Sequence, residues 1–300
     1  MRIVFLGIGG VGGYMGANFL RSEMEHEITL IGRGSHQEAI DTAGLRVVGD
    51  TEEFTVLVPK TKLDGSYDLV ILGVKSYDFE AAITQIKPHI TEQSIVIAFA
   101  NGVSHKAFLQ ERLNAKVLEG AVYILSHIEE PGVIRKKGNV FAAVIGSEIY
   151  KEEVLIVEAL FKKAKLRVKT PENITEALWK KYLFISAFAT LSSYYDCSIR
   201  EVYETHREVC ETLLNEIVAV AEAQGIMIRD ELPKALQTAS SLPQEASTSM
   251  HLDFQNTRRN ELEVLTYDVI RLGLELGVKS PLYEKMYYAL KAKESKLNKT

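Results

Sequence analysis

Apolar positions along the chain fall into two textures. In the first part, short apolar runs alternate with amphipathic stretches. Arg2–Leu6 and Glu27–Ile31 predict strands, and Val11–Leu20 between them carries helical spacing. Leu45–Val48 and Phe54–Val58 predict two strands inserted before the next crossover. Leu69–Val74 (LVILGV) and Ile95–Phe99 read as buried parallel strands, with Phe79–Ile86 as the helix joining them. Strands alternating with helices predict a parallel sheet covered on both faces.

The texture changes near Val117. Val117–Leu125, Gly132–Arg135 and Val140–Ile145 predict three strands of a small antiparallel or mixed extension, divided by Glu130-Pro131-Gly132 and Lys136-Lys137-Gly138. Glu152–Lys163 predicts a helix and Lys165–Val168 a last edge strand. Beyond Pro171 and Asn173 strand signal disappears. Ile174–Ser192, Ile199–Gln224, Leu252–Leu276 and Pro281–Lys296 all carry helical spacing, and Leu242–Ser249 reads as a loop before a long helix. The expected organisation is therefore an α/β domain of Rossmann type over 1–168 and an all-helical domain over 169–300.

The first strand runs directly into Gly7-Ile8-Gly9-Gly10-Val11-Gly12, a GxGxxG pattern that opens the first helix. In that context Gly7 makes the tight turn, Gly9 lets backbone approach a pyrophosphate, and Gly12 permits close helix–strand packing, with Gly10 counted among the cofactor-binding residues. The helix N-terminus adds its positive dipole end. The motif predicts a bound dinucleotide. At the end of the second strand, where NAD-binding proteins place a carboxylate, the chain reads Leu30-Ile31-Gly32-Arg33-Gly34-Ser35. Arg33 is placed to meet a 2′-phosphate through charge-assisted hydrogen bonds, which points to NADP(H). Lys75 and Asn101 each follow a strand, at the carboxyl ends where open α/β sheets bind ligands.

Composition narrows the partners. The 300 residues hold 35 Lys plus Arg against 40 Asp plus Glu, a net charge of −5, which disfavours a global electrostatic grip on nucleic acid or an anionic membrane. Two cysteines, Cys197 and Cys210, exclude a disulfide framework and a four-cysteine zinc site, and the seven histidines lack ligand spacing, so no metal is expected. No apolar run approaches the roughly 20 residues of a membrane span, and the first residues do not read as a signal peptide. A soluble cytoplasmic protein is the expectation. Oligomeric state, a homodimer included, leaves no mark in one sequence.

The helical part contains two polar anomalies. Lys180 and Lys181 interrupt the apolar run Ala177–Ile185. One can snorkel to solvent; the other, desolvated, becomes a plausible general acid. Ser249, Asp253 and Glu261 are spaced by four and eight, so one helix face can carry all three.

With these residues in view the chain resembles the ketopantoate reductase (2-dehydropantoate 2-reductase) family nearly end to end. The likeness rests on GIGGVG at 7–12, VKSYD at 74–78, ANG at 100–102 and EPGVIRKKG at 130–138. It continues through LWKKYLF at 178–184, SMHLDFQNTRRNELE at 249–263 and LGVKSP at 276–281. The resemblance implies a Rossmann domain followed by a helical one with the active site in the cleft between them. It implies NADPH-dependent reduction of a small 2-keto acid to a D-2-hydroxy acid, the step that makes pantoate in pantothenate biosynthesis. It assigns Lys181 as proton donor, and Glu261 to the cofactor ribose and to positioning the lysine. Asn101 would bridge cofactor and substrate, Ser249 and Asp253 would face the substrate, and Ser126, Lys75 and Arg33 would lie on the cofactor side. Three positions depart from the family pattern. Ile185 stands four residues after the lysine, where an asparagine is usual; Ala189-Thr190 replaces a second asparagine and its following residue; and Tyr267 replaces a glycine. Loss of the amides points to a more apolar pocket and a branched or aliphatic 2-keto acid. Two other readings stand beside this one: a dehydrogenase of a phosphorylated or CoA-linked hydroxy acid, using Lys180-Lys181 and Arg258-Arg259, and a non-catalytic NADP(H)-binding sensor.

Overall fold

The computed structural model describes residues 1–297. Its strands are β1 Arg2–Leu6, β2 Glu27–Ile31, β3 Leu45–Gly49, β4 Glu53–Val56, β5 Leu69–Leu72, β6 Ile95–Ala98, β7 Lys116–Glu130, β8 Val133–Gly146 and β9 Val168–Lys169. Its helices are α1 Gly10–Arg21, α2 Gly34–Ala43, α3 Phe79–Ile86, α4 His105–Gln110, α5 Lys151–Lys163, α6 Ile174–Tyr195, α7 Ile199–Thr205, α8 Arg207–Ala223, α9 Leu232–Ser241, α10 Ser249–Gln255, α11 Asp268–Glu275 and α12 Pro281–Leu297. The chain folds as two compact units. One comprises 1–100 with 104–174, the other 101–103 with 175–300. Asn101, Gly102 and Val103, separated from the end of β6 by two residues, thus group with the helical unit, a placement no local pattern signals.

In the first unit all nine strands join one mixed sheet in the order β2-β1-β5-β6-β7-β8-β3-β4, with β9 beside β8. The strands β2, β1, β5, β6 and β7 run parallel, as the alternation of strands and helices requires. Their side chains alternate between two cores. Ile3, Phe5, Leu69, Ile71, Ile95 and Ile97 enter one; Val4, Leu6, Val70, Leu72, Val96 and Ala98 enter the other. Burial on both faces explains why these strands read as continuous apolar runs. Because α1 carries the chain from β1 to β2 on one side, and β5 lies on the other side of β1, the order reverses at β1/β5. Open sheets bind ligands beyond the carboxyl ends of strands at such a point.

Three expectations are corrected here. The predicted strands Gly132–Arg135 and Val140–Ile145 are one strand, β8. Lys136-Lys137-Gly138 is not a turn: the pairing of Ile124 with Phe141 and then Leu125 with Lys137 places an irregularity there, a bulge within a continuous β7–β8 ribbon. Glu130-Pro131-Gly132 does turn the chain between β7 and β8, with Gly132 at φ +82°. Helices α2, α4 and α9 lie where no helix is expected, each of ten residues or fewer.

The second unit is helical. Trp179, Leu183, Phe188 and Leu191 of α6 pack into a core with Leu213, Leu214 and Ile217 of α8 and with Tyr283 and Met286 of α12. The predicted helix 199–224 is broken at His206, which separates α7 from α8. The predicted helix 252–276 is also interrupted. After α10 the chain passes Thr257 in left-handed conformation (φ +52°), then re-enters helical geometry through a π-helical turn over Glu263–Tyr267 that leads into α11. Ser249 and Asp253 therefore share a face of α10, whereas Glu261 lies beyond the break and not on that face. The spacing of four and eight does not describe one helix.

Candidate functional site

In the first unit the glycine turn joins β1 to α1. Gly7 adopts φ +90°, and a β-carbon there would strike Val74 in the loop after β5. Gly12 packs against the Gly7 carbonyl, and Gly10 against the backbone of Ser126 on β7, so neither tolerates a side chain without backbone movement. Gly9 differs: a β-carbon there meets nothing within 4 Å. No side chain caps α1, whose N-cap is Gly9, and its first turn contains no acidic residue. Open space at Gly9 beside uncapped helix N–H groups fits a dinucleotide pyrophosphate, the group the sequence pattern predicts.

Arg33 sits at the end of β2 as the residue preceding α2. Its side chain is 83% exposed and its guanidinium lies 3.1 Å from Asp78. Lys75 follows β5 in extended conformation and opens the short turn Ser76–Asp78. Ser126 lies on β7, and its hydroxyl, like that of Ser76, is buried with no hydrogen-bond partner among the described residues.

Sequence reasoning passed over His36. It is buried and fixes the glycine turn from below. The Gly132 N–H donates to its Nδ1 at 3.0 Å, so the proton resides on Nε2, which donates to the Ile8 carbonyl at 3.0 Å. Burial lowers its pKa, in keeping with a neutral ring. One histidine without spaced partners gives no sequence signal for this role.

In the second unit three predicted residues meet. Lys181 Nζ donates to Asn101 Oδ1 at 3.2 Å, and Asn101 Nδ2 donates to Glu261 Oε2 at 3.2 Å. The amide is thereby oriented by a cation on one side and an anion on the other. Glu261 is 2% exposed. Burial lowers the Lys181 pKa to about 8, against the opposing pull of the Glu261 carboxylate. Lys180 behaves oppositely. It pairs with Glu176 at 2.7 Å and Glu231 at 3.3 Å, which raises its pKa. The two adjacent lysines thus divide into a partly exposed ion pair and a desolvated amine. With Lys180 engaged by two carboxylates, a phosphate-binding lysine pair loses one member.

Ser249 is exposed and Asp253 half-buried on α10, whose N-cap Thr248 accepts from the His251 N–H. His251 is buried between Ser247 Oγ (2.7 Å) and Asp196 Oδ1 (2.9 Å), tying the end of α6 to the start of α10. Ile185 is half-buried one turn after Lys181; Ala189 and Thr190 are fully buried, and Thr190 bonds to Thr266 at 2.7 Å. The position of the second missing asparagine is core. Among the described residues no group of three or more His, Cys, Asp or Glu side chains is placed to hold a metal, and no helix is long and apolar enough to cross a membrane.

A glycine turn at the switch point of a parallel sheet, joined in one chain to a helical unit with a desolvated lysine, defines a dinucleotide-dependent oxidoreductase. Comparison with known proteins agrees. Residues 3–147 match the family model "Ketopantoate reductase PanE/ApbA" and residues 173–294 its C-terminal counterpart. The chain belongs to the ketopantoate reductase family. It is 27% identical to the uncharacterized oxidoreductase YkpB of Bacillus subtilis, over 98% of this chain and 99% of that protein. It is 26% identical to the 2-dehydropantoate 2-reductase of Pyrococcus horikoshii, over 98% of each. A PanE/ApbA family ketopantoate reductase from Ralstonia eutropha JMP134 has the same fold, with a TM-score of 0.90 at 27% identity, covering 99% of this chain and 100% of that one. D-mandelate dehydrogenase, solved with NADH and anilino(oxo)acetate, shares the fold at a TM-score of 0.89 and 21% identity, over 99% and 100% of the two chains.

Proposed function

We propose that the protein reduces a small 2-keto acid to the D-2-hydroxy acid with NADPH, and that Lys181 is the proton donor. The observation that carries this reading is the Lys181–Asn101–Glu261 chain with its lysine pKa of about 8. When bound, the nicotinamide supplies a hydride to the keto carbon. Lys181 then protonates the oxygen as negative charge develops there. At neutral pH an ammonium of pKa about 8 is mostly protonated, yet far more acidic than an ordinary lysine, the balance a general acid needs. Asn101 holds that ammonium in one direction through Oδ1, and its own orientation is held by Glu261. Glu261 also takes the cofactor ribose in this reading.

Gly7, Gly9, Gly10 and Gly12 shape the pyrophosphate seat, with Lys75 contributing from beyond the end of β5 and Ser126 from within β7. Arg33, exposed at the end of β2 with no carboxylate in the strand-end position, supports a 2′-phosphate and hence NADPH over NADH. Ser249 and Asp253 are assigned to the substrate. Ile185, in place of a family amide, favours a branched or aliphatic side chain on the 2-keto acid over ketopantoate. The test is oxidation of NADPH and NADH against a panel of 2-keto acids that includes ketopantoate and aliphatic analogues. Turnover of an aliphatic member with NADPH supports the reading. Tight NADPH binding with no turnover of any member refutes it.

A further inference from the structure

We propose that Tyr182 and Ser186 are positioning residues for Lys181, acting through the π-helical turn at 263–267 to hold Glu261 against Asn101. The proposal rests on the reading of Lys181 as proton donor for its kinetic consequence, but on geometry for the positioning itself. Within the largely apolar buried face of α6, Tyr182, Ser186 and Thr190 recur every fourth residue and are buried to 1% exposure or less. Such a stripe buried in a core requires partners. All three find them on the π-helical turn. Tyr182 donates to the Val264 carbonyl at 2.7 Å, Ser186 to the Leu265 carbonyl at 2.6 Å, and Thr190 meets Thr266 Oγ1 at 2.7 Å. Tyr283 of α12 supports Ser186 from behind at 2.8 Å.

A π-helical turn shifts backbone hydrogen bonding from the i–4 to the i–5 partner, and such turns are frequent at functional sites. Here the turn begins two residues after Glu261, and the Leu265 N–H donates to the Glu261 carbonyl at 2.9 Å. The contacts form a closed ring: Ser186 to Leu265, Leu265 to Glu261, Glu261 to Asn101, Asn101 to Lys181, and along α6 back to Ser186. On the other flank Asn260 is bonded to Glu294 of α12 and accepts from the Leu262 N–H, so Glu261 is fixed on both sides. The ring places the carboxylate that acts on the Lys181 ammonium.

The test is the ionisation of Lys181 itself in the full chain. Lysine ε-carbons labelled with ¹³C are titrated by NMR, and Lys181 is assigned by its loss in Lys181→Arg. Tyr182→Phe keeps the ring and removes only the hydroxyl; Ser186→Ala removes the second donor; Ser186→Thr restores one. In the first two, Glu261 loses its registration, its support for the ammonium weakens, and the Lys181 ionisation constant rises three- to tenfold while the thermal transition stays cooperative. The basic limb of kcat/KM moves to lower pH by the same factor, and Ser186→Thr returns both towards the parent. Unaltered Lys181 titration in both folded variants overturns the proposal. A shifted titration without turnover of any 2-keto acid upholds the positioning role and refutes the reductase reading; Lys181-dependent turnover with an unmoved titration does the reverse.

Discussion

A lysine whose pKa falls on folding makes stability depend on pH, and Lys181 offers a direct measurement of that cost. In the unfolded chain its pKa is near 10.5; in the folded protein it is about 8. Between those values the unfolded state binds the additional proton, so stability rises with pH across that window. Above 10.5 the lysine is neutral in both states and costs nothing; below 8 it is charged in both and the whole penalty applies. The fall corresponds to about 3 kcal/mol, most of it recovered between pH 7 and pH 10. Lys181→Met removes the titration while filling similar space. Urea unfolding of both proteins at pH 7, 8, 9 and 10 isolates the lysine, because other ionisations cancel in the difference. The parent should gain about 2–3 kcal/mol on the variant over that range. The loss of bonding to Asn101 shifts the two curves by a constant and leaves this slope intact. Parallel curves would refute the assignment of a desolvated amine.

Four further outcomes follow from the geometry. Arg33→Ala should raise KM for NADPH at least tenfold and leave NADH nearly unaffected, as steady-state kinetics with both cofactors will show; equal effects on the two would remove the 2′-phosphate role. Gly12→Ala should lower stability by about 1–3 kcal/mol in thermal or denaturant unfolding, because its β-carbon overlaps the Gly7 carbonyl. Gly9→Ala, with open space at the β-carbon, should unfold as the parent does but bind NADPH more weakly by titration calorimetry. Ile185→Asn should move the kcat/KM ratio towards ketopantoate and away from aliphatic 2-keto acids by about tenfold or more in a competition assay.

The parts of the fold legible in the sequence are those governed by local pattern. Runs such as LVIL at 69–72 and IVIA at 95–98 announce parallel strands because both faces are buried, and GIGGVG at 7–12 announces its turn because backbone packs against backbone at Gly10 and Gly12. The bulge at 138–140 was not legible, since a glycine after two lysines signals a turn and a bulge alike. The break between α10 and the π-helical turn was hidden for a different reason: it falls in the polar run 255–261, which holds no glycine or proline to mark a helix end, and the left-handed Thr257 and the carbonyls taken up by Tyr182 and Ser186 reveal it. For the site, the contrast between Lys180 and Lys181 follows from their neighbours one helical turn away, where Glu176 waits for one and Ile185 for the other. Asn101 grouping with the helical unit, and His36 bracing the glycine turn, depend on contacts between residues far apart in the chain and leave no local trace.

The central claim is that Lys181 delivers the proton. With the best 2-keto acid found in the panel, NADPH oxidation by Lys181→Ala is compared with the parent at pH 7, alongside NADPH affinity and the thermal transition. Loss of kcat by about 10²–10⁴ with cofactor affinity retained and the fold intact is the predicted result. A kcat within a few-fold of the parent would contradict it.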